Sequence, residues 1–264
     1  MCRHLAYLGP PVPLRAVLTD PPHSLYRQSW APAMQRHGTV NADGFGVGWY
    51  AEGDPVPARY RRAVPIWGDP SLPDLARVTR SGAVLAAVRG ATPGTALGEA
   101  AVAPFGSGPW LFSHNGVLDG WRTWAEHASV QLNDFSPFSL EAMVDSALLW
   151  ALVLGRLRAG AAAEVALAAT IASVEEAGGS GRFNFLLTDG RVIAATAAGD
   201  TLFYRCLPGP AVVVASEPGD DEPGWTGVPD GSVLSATPLQ VSVADLDIAV
   251  SPDQNTEDGR IAIR

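Results

Sequence analysis

The order of predicted elements places this chain of 264 residues in the α+β class. Two observations predict it: β-rich segments occupy both ends of the chain, and two long helical patterns occupy its middle. Elements segregated in this way pack in layers, because each sheet must cover an apolar face. Apolar residues make up 47% of the chain, enough for a sizeable core. We expect a layered sandwich formed by one domain over residues 1–264, with a polar, peripheral tail at residues 252–264.

The helical patterns lie at residues 139–160 and 162–178, which consist of good helix formers. Gly160 and Gly178 are suited to the ends of these helices, because glycine adopts the left-handed conformation that follows a last helical turn. Ser139 is suited to an N-terminal cap. The sequence therefore predicts an adjacent pair of helices between two sets of strands.

The predicted strands are short runs of apolar, β-branched and aromatic residues. They lie at residues 45–51, 83–88, 110–114 and 183–196, and at the runs LFYRC, AVVVAS and SVLSATPLQVSV. The run 183–196 forms a hairpin, because Asp189-Gly190 is a strong turn signal. We expect Cys206 to be buried in its strand and the proline-rich stretch 10–32 to be a surface loop.

Composition excludes several functions. The net charge is -9, and all 18 residues of the Lys+Arg count are arginine, which removes every mechanism that needs a lysine. An acidic chain without a basic patch predicts no nucleic-acid partner. No apolar run reaches the roughly 18 residues of a membrane span, and the start resembles no signal peptide, so we expect a cytoplasmic protein without a membrane partner. The histidines lack metal-ligand spacing, so we expect no metal site, and we expect no cofactor for the reason given below.

A glycine-rich segment, HGTVNADGFGVGWY, carries glycines at every second position from Gly44 to Gly48. A dinucleotide fingerprint needs a helix after its glycines, whereas a strand follows here, so we reject cofactor binding. Asn41 and Asp43 favour a turn into that strand. Asp43 is also a candidate to line a site.

The N-terminal sequence MCRHLAYLG places Cys2 directly after the initiator methionine. Methionine is usually removed before a small residue, and removal would give Cys2 a free α-amine beside its thiol. The α-amine has an unperturbed pKa of roughly 7.7–8.0, which suits a base for the thiol. The alternative is that Cys2 is a small buried apolar residue.

Two further motifs follow predicted strands. In FSHNGVLDG, Asn115-Gly116 is either a tight turn or an oxyanion hole, in which the Asn115 amide and the Gly116 N–H donate to one oxygen. In AAVRGATPG, Arg89 is either a solvated strand end or a bidentate clamp for a substrate carboxylate, with Thr92 as an added hydroxyl donor. His114 is most simply a hydrogen-bonded structural residue.

Together, MCRHL, VRGATPG and SHNG resemble the class II glutamine amidotransferases, a family of N-terminal-nucleophile hydrolases. The resemblance implies a four-layer αββα sandwich. It also implies that Cys2 attacks a γ-glutamyl amide, that Asn115 and Gly116 form the oxyanion hole, and that the segment with Arg89 and Thr92 binds the glutamyl α-carboxylate.

Two longer stretches, SWAPAMQRHGTVNADGFGVGWY and SEPGDDEPGWTGVPDGSVL, resemble the branch of this family that acts in ergothioneine biosynthesis. That branch hydrolyses γ-glutamyl-hercynylcysteine S-oxide to glutamate and hercynylcysteine S-oxide. The leaving group carries a trimethylammonium, for which Trp30 is a candidate through cation–π contact. His37, in the first stretch, is most simply structural, and we keep it and His114 as candidate substrate contacts.

The chain departs from the family pattern at two places. Pro93 stands where many members have a histidine, and the aspartate that holds the substrate ammonium has no clear counterpart. Asp134, Ser139 and Glu141 are candidates for that role, with Ser139 at the matching position. Alternative functions are a glutaminase subunit, a peptidase of γ-glutamyl thiols, and a protein that binds γ-glutamyl ligands without catalysis. The sequence predicts a small-molecule γ-glutamyl ligand in every case and does not predict the oligomeric state.

Overall fold

Two antiparallel β-sheets pack face to face between layers of helices in the computed structural model, which describes residues 2–92, 94–128 and 140–250. The strands are β1 (Cys2–Pro13), β2 (Phe45–Trp49), β3 (Ala58–Arg62), β4 (Arg80–Arg89), β5 (Phe105–Ser107), β6 (Trp110–Leu118), β7 (Gly181–Thr188), β8 (Ile193–Ala197), β9 (Phe203–Leu207), β10 (Ala211–Ala215), β11 (Thr226–Gly227), β12 (Ser232–Thr237) and β13 (Gln240–Asp245). The helices are α1 (Arg15–Leu18), α2 (Leu25–Gln28), α3 (Leu72–Val78), α4 (Trp121–Ala128), α5 (Asp145–Arg158), α6 (Ala163–Glu176) and α7 (Leu246–Val250).

The first sheet has the strand order β11-β9-β10-β1-β4-β2-β3, and the second has the order β13-β12-β8-β7-β6-β5. The N-terminal strand β1 therefore lies at the centre of the first sheet, between β10 and β4. A strand in this position has both edges paired, which fixes its backbone. The side chains of the first residues are therefore attached to a backbone that the neighbouring strands hold rigidly.

Three apolar cores correspond to the three interfaces of a four-layer αββα sandwich. The first sheet packs against α1 to α3 through residues such as Leu5, Leu18 and Val84. The two sheets meet through a second core that includes Leu8 and Leu186. The second sheet packs against α5 and α6 through a third core. Each fully buried leucine or phenylalanine contributes about 1.5–3 kcal/mol, so these cores provide most of the driving force for this layering.

The helix pair and the hairpin between β7 and β8 are confirmed. Gly160 and Gly178 follow the two helices with φ of 92° and 75°. The first helix begins at Asp145, however, and not near residue 139. Val144 is extended, and the Asp145 carboxylate accepts hydrogen bonds from the backbone N–H of Leu118 and of Ser146, which fixes the helix start.

The prediction that residues 10–32 form a surface loop was wrong. Strand β1 continues to Pro13, and α1 and α2 follow with buried side chains, among them Leu14, Leu18 and Leu25. The expected burial of Cys206 was also wrong, because this residue lies in β9 with an exposed side chain. Residues 252–264 lie outside the described residues. No helix in the described part of the chain is long and apolar enough to cross a membrane.

The glycines of β2 serve close packing. A Cβ on Gly46 would collide with the carbonyl oxygen of Ala103, and a Cβ on Gly48 would lie 2.6 Å from Cδ1 of Leu111. Both glycines occur in a strand, as the sequence predicted. The alternation of glycine along this strand lets neighbouring backbone and side chains approach it closely.

Candidate active site

Cys2 is the first residue of the central strand β1, and its side chain is partly exposed at the end of the sheet. It lies directly opposite Arg89, the last residue of β4. Residues directly opposite each other in antiparallel strands project to the same face, so the thiol and the guanidinium share a face of the sheet. Removal of Met1 would convert the backbone nitrogen of Cys2 into an α-amine at this point.

Asn115 projects from β6 of the second sheet toward Cys2. Its Oδ1 accepts a hydrogen bond from the Cys2 nitrogen at 3.3 Å, and its Nδ2 lies 3.5 Å from the Ser216 hydroxyl. The side chain is fully buried. The amide oxygen therefore accepts from the nitrogen that would be the α-amine after removal of Met1, and the second N–H of Nδ2 could serve an oxyanion.

Gly116 follows within the same strand, opposite Phe183 of β7. The interpretation of Asn115-Gly116 as a tight turn was therefore wrong: β6 continues to Leu118, and Gly116 has no positive φ. The glycine is needed for close packing, because a Cβ here would collide with the carbonyl oxygen of Arg182 and lie 2.5 Å from Nε2 of His114.

Arg89 is only 8% exposed, although its side chain is charged. Its Nη2 donates to the carbonyl oxygen of Ala96 at 2.9 Å and to the Thr95 hydroxyl at 3.2 Å. Its Nη1 is buried and has no hydrogen-bond partner within the described ranges. One nitrogen of the fork is thus fastened by protein, and the other retains its capacity for an acidic ligand.

Asp43 and the loop after Arg89 are joined by two hydrogen bonds. The Asp43 N–H donates to the carbonyl oxygen of Arg89 at 2.9 Å, and its carboxylate accepts from the Ala91 N–H at 2.7 Å. The exposed Thr92 contributes its carbonyl, which accepts from the Thr95 hydroxyl at 2.7 Å. Asp43 is therefore placed to hold the arginine loop, and the hydroxyl that contacts Arg89 belongs to Thr95.

His4 is a fully buried neighbour of this site on β1. Burial, together with the nearby charges of His114 and Arg3, lowers the pKa of its imidazole to about 3. Its Nδ1 lies 3.1 Å from the Ser113 hydroxyl, and its backbone N–H donates to the Ser216 hydroxyl at 3.0 Å. The imidazole is neutral at physiological pH and packs between the sheets as a structural group.

His114 lies on the opposite face of β6 from Asn115, because successive residues of a strand alternate between faces. Its Nδ1 lies 3.1 Å from the Ser146 hydroxyl, and its Nε2 lies 2.9 Å from the carbonyl oxygen of Arg182. The side chain is 2% exposed. The structure therefore does not bring His114 to Cys2, and its contacts match the structural interpretation.

Trp30 and His37 lie in the segment that follows α2. Trp30 is 37% exposed and packs edge to face against Tyr26 and Trp67, with centroids 4.9 Å and 5.6 Å away. The guanidinium carbon of Arg27 lies 5.8 Å from the Trp30 ring centroid, so a protein cation already occupies this ring. His37 is exposed, and its carbonyl accepts from the Gln35 side-chain amide.

The residue that would hold a substrate ammonium is not found among the described candidates. Ser139 and Asp134 lie outside the described residues. The Glu141 carboxylate already pairs with Arg59 at 3.0 Å and with Arg61 at 2.8 Å, beside the edge strand β3. The Glu141 carboxylate therefore forms ion pairs with two arginines, which a substrate ammonium would have to displace.

Sequence reasoning assigned no role to Ser216 and Glu217, which follow β10. Ser216 contacts Asn115 and the backbone of His4, whereas the Glu217 carboxylate accepts from the N–H groups of Ala33 and Met34. Both side chains are buried. A signal was present, because two polar residues stand directly after the apolar strand β10, just as the polar Arg89 ends the apolar strand β4.

A four-layer fold whose central strand begins with a cysteine, opposite an Asn-Gly pair of the second sheet, defines the N-terminal-nucleophile class of hydrolases. Within this class, residues 22–210 match the family model of class II glutamine amidotransferases. The chain belongs to this family.

Curated relatives cover nearly the whole chain. The gamma-glutamyl-hercynylcysteine sulfoxide hydrolase of Mycolicibacterium smegmatis is 41% identical over 252 residues, which are 96% of this chain and 100% of that protein. The protein of the same name from Mycobacterium tuberculosis (strain CDC 1551 / Oshkosh) is 41% identical over 253 residues, with the same coverage. The solved structure of a "glutamine aminotransferase class-II domain protein" from Silicibacter pomeroyi has a TM-score of 0.67 at 26% identity, and the match covers 92% of this chain and 99% of that one.

Proposed function

We propose that the chain hydrolyses the γ-glutamyl amide of γ-L-glutamyl-hercynylcysteine S-oxide to glutamate and hercynylcysteine S-oxide. The observation that carries the proposal is the 3.3 Å contact between the Cys2 nitrogen and Asn115 Oδ1, on the face that also carries Arg89. The names and full-length coverage of the mycobacterial relatives support the choice of substrate.

The chemistry would begin when the free amine of Cys2 takes the proton of its own thiol. The thiolate forms a bond to the γ-carbonyl carbon, and the carbonyl oxygen becomes an oxyanion that accepts from Asn115 Nδ2 and the Gly116 N–H. The Cys2 ammonium then gives its proton to the leaving nitrogen, and the C–N bond breaks. Water, deprotonated by the same amine, attacks the resulting thioester and releases glutamate and the thiol.

Arg89 would bind the α-carboxylate of the glutamyl group through its unpartnered Nη1. A fixed carboxylate positions the scissile bond against Cys2, which converts binding energy into orientation. Asp43 would stabilise this contact indirectly, because its hydrogen bonds to the Arg89 carbonyl oxygen and the Ala91 N–H fix the backbone on both sides of Gly90. Trp30 is a candidate contact for the trimethylammonium, with Arg27 displaced or moved aside when the ligand binds.

Intact-protein mass spectrometry tests the nucleophile. We expect the purified chain to lack the mass of Met1 and to gain one adduct on Cys2 after incubation with 6-diazo-5-oxo-L-norleucine. A retained methionine and an unlabelled Cys2 would overturn the mechanism and favour a binding protein.

Turnover tests the substrate. We expect rapid hydrolysis of γ-glutamyl-hercynylcysteine S-oxide and slow hydrolysis of glutamine and glutathione. Fast release of ammonia from glutamine would instead identify a glutaminase subunit, and preference for glutathione would identify a γ-glutamyl-thiol peptidase.

A further inference from the structure

Residues 29–43, which we call the crossing segment, run over the end of the first sheet where Cys2 lies. The segment is closed at its base by a hydrogen bond from the Asn41 N–H to the carbonyl oxygen of Ser29. Asn41 is fully buried, and its side-chain amide donates to the carbonyl oxygen of Gln28 and to the side chain of Gln35. The segment is therefore a built element and has defined contacts at both ends.

The crossing segment is fastened to both neighbours of β1. On the β10 side, the Glu217 carboxylate accepts from the Ala33 N–H at 3.2 Å and from the Met34 N–H at 2.6 Å. On the β4 side, Asp43 is bonded to the carbonyl oxygen of Arg89 and to the Ala91 N–H. Because β1 lies between β10 and β4 and begins at Cys2, the segment crosses in front of the nucleophile.

Glu217 is 2% exposed, and burial of a carboxylate is costly unless strong hydrogen bonds and opposite charge compensate it. Two backbone donors supply the hydrogen bonds. Positive charge comes from Arg3, which is fully buried, lies one residue from Cys2 and interacts electrostatically with both Glu217 and Asp200. No carboxylate in the described part of the chain lies within ion-pair distance of Arg3. Both carboxylate oxygens of Glu217 are therefore used by the two N–H groups of the segment.

We propose that Glu217 is a positioning residue for substrate specificity, which holds the crossing segment as the wall of the leaving-group side of the site. The inference rests on the proposed function. Arg89 lies on the β4 side of Cys2, so the part of the segment that Glu217 holds lies on the opposite, β10 side, away from the glutamyl carboxylate. Exposed side chains on the segment are aromatic, thioether and cationic, which suits an imidazole betaine that also carries carboxylates: Trp30, Met34, Arg36 and His37.

The test compares two substrates that share the glutamyl group. We expect Glu217→Gln to lower kcat/KM for γ-glutamyl-hercynylcysteine S-oxide about tenfold or more relative to kcat/KM for γ-glutamyl-p-nitroanilide, with most of the change in KM. The oxygen of the substituted amide can accept a hydrogen bond from only one of the Ala33 and Met34 N–H groups, and its NH2 group faces the other. Glu222→Gln is the matched control, because it makes the same change at an exposed glutamate of the same stretch, and it should leave the ratio unchanged. An equal fall for both substrates would overturn the proposal.

Two further measurements do not depend on the folding of Glu217→Gln. Ala33→Pro removes one of the two N–H donors without touching the buried carboxylate, and it should lower the same ratio. In the unaltered protein, the backbone amides of Ala33 and Met34 should be protected from hydrogen exchange. Exchange as fast as in an unstructured peptide would show that Glu217 does not hold the crossing segment. If the unaltered protein hydrolyses the anilide but not the conjugate, the proposed function fails, while the exchange result still decides whether Glu217 holds the segment.

Discussion

The backbone nitrogen of Cys2 lies 3.3 Å from Oδ1 of Asn115, although the two residues are 113 positions apart and belong to different sheets. The contact orients the acceptor side of the amide toward the nitrogen that would be the α-amine after removal of Met1. It leaves the donor side, Nδ2, for an oxyanion and for the Ser216 hydroxyl. One side chain is thus placed to orient a base and to stabilise negative charge, and substitution can separate the two effects.

Asn115→Asp keeps an acceptor for the Cys2 nitrogen and removes the Nδ2 donor. We expect kcat for γ-glutamyl-p-nitroanilide to fall about 10²–10³-fold, the usual cost of one oxyanion-hole donor. A carboxylate beside the amine also favours the ammonium form, so the acid limb of the pH–rate profile should shift to higher pH. Asn115→Ala should lower kcat as much as Asn115→Asp does, but it should leave the acid limb of the pH–rate profile where it is. A kcat for Asn115→Asp close to that of the unaltered protein would contradict the role of Nδ2.

Arg89→Lys replaces a planar fork by a single ammonium. The lysine can neither donate to Ala96 and Thr95 as Nη2 does nor place a second donor where Nη1 lies. We expect KM for γ-glutamyl-p-nitroanilide to rise about 10–100-fold, which corresponds to one charge-assisted hydrogen bond, with a smaller change in kcat. Arg77→Lys, at an exposed ion pair, is the control. An unchanged KM would show that the glutamyl carboxylate binds elsewhere.

Asp43→Ala removes the acceptor for the Ala91 N–H and leaves Arg89 itself in place. We expect KM to rise about fivefold, since one net hydrogen bond of about 1 kcal/mol no longer holds the arginine loop. Asp43→Asn retains a carbonyl oxygen and should restore most of the loss. Steady-state kinetics on the same anilide measures both variants. Equal defects in the two variants would point to the charge of Asp43, and not to its contact with Ala91.

The candidate site was largely predictable because its residues stand out locally. Cys2 directly follows Met1, and Arg89, Asn115 and Gly116 occur as polar or glycine residues within or at the end of apolar strands. Such interruptions of a pattern are visible in one sequence. The resemblance then supplied roles that composition and spacing alone left open.

The remainder was not predictable, because it depends on pairing between distant segments. Strand β1 contains Pro10, Pro11 and Pro13, which predict a loop until β4 and β10 are seen on its two sides. The Asn-Gly pair favours a turn locally, and only the packing of Gly116 against Arg182 explains the glycine in an extended strand. The contacts of Ser216 and Glu217 join positions more than 100 residues apart and leave no periodic signal.

Gly116→Ala tests that packing. The new Cβ would overlap the carbonyl oxygen of Arg182, which is also the partner of His114 Nε2, so β6 or β7 must shift. We expect a loss of unfolding free energy on the order of 1–3 kcal/mol, measured by urea denaturation. Gly155→Ala, in helix α5 with open space around its Cα, should be neutral or stabilising. If Gly116→Ala unfolds at the same urea concentration as the unaltered protein, the close approach is not a constraint.

Acid should destabilise the fold through its two buried histidines. Burial lowers the pKa of His4 to about 3, from 6.5 in an unfolded chain. Burial also lowers the pKa of His114, which the Asp145 charge and the Arg182 carbonyl only partly offset. Both imidazoles are therefore neutral when folded and take up protons when unfolded. Their stabilisation is fully present above about pH 6.5 and declines as the pH falls, by about 1.4 kcal/mol per pH unit for each histidine that stays neutral.

Urea denaturation at several pH values between about 7 and 5 measures this slope. His114→Gln removes one of the two groups, so its unfolding free energy should depend less steeply on pH, whatever its absolute stability. His127→Gln changes an exposed histidine of α4 and is the control, which should keep the full slope. An equal slope in the unaltered protein and in His114→Gln would mean that His114 takes up its proton in the folded state. Its hydrogen bond to the Arg182 carbonyl would then be donated by an imidazolium, and the acid sensitivity of the fold would rest on His4 and the carboxylates.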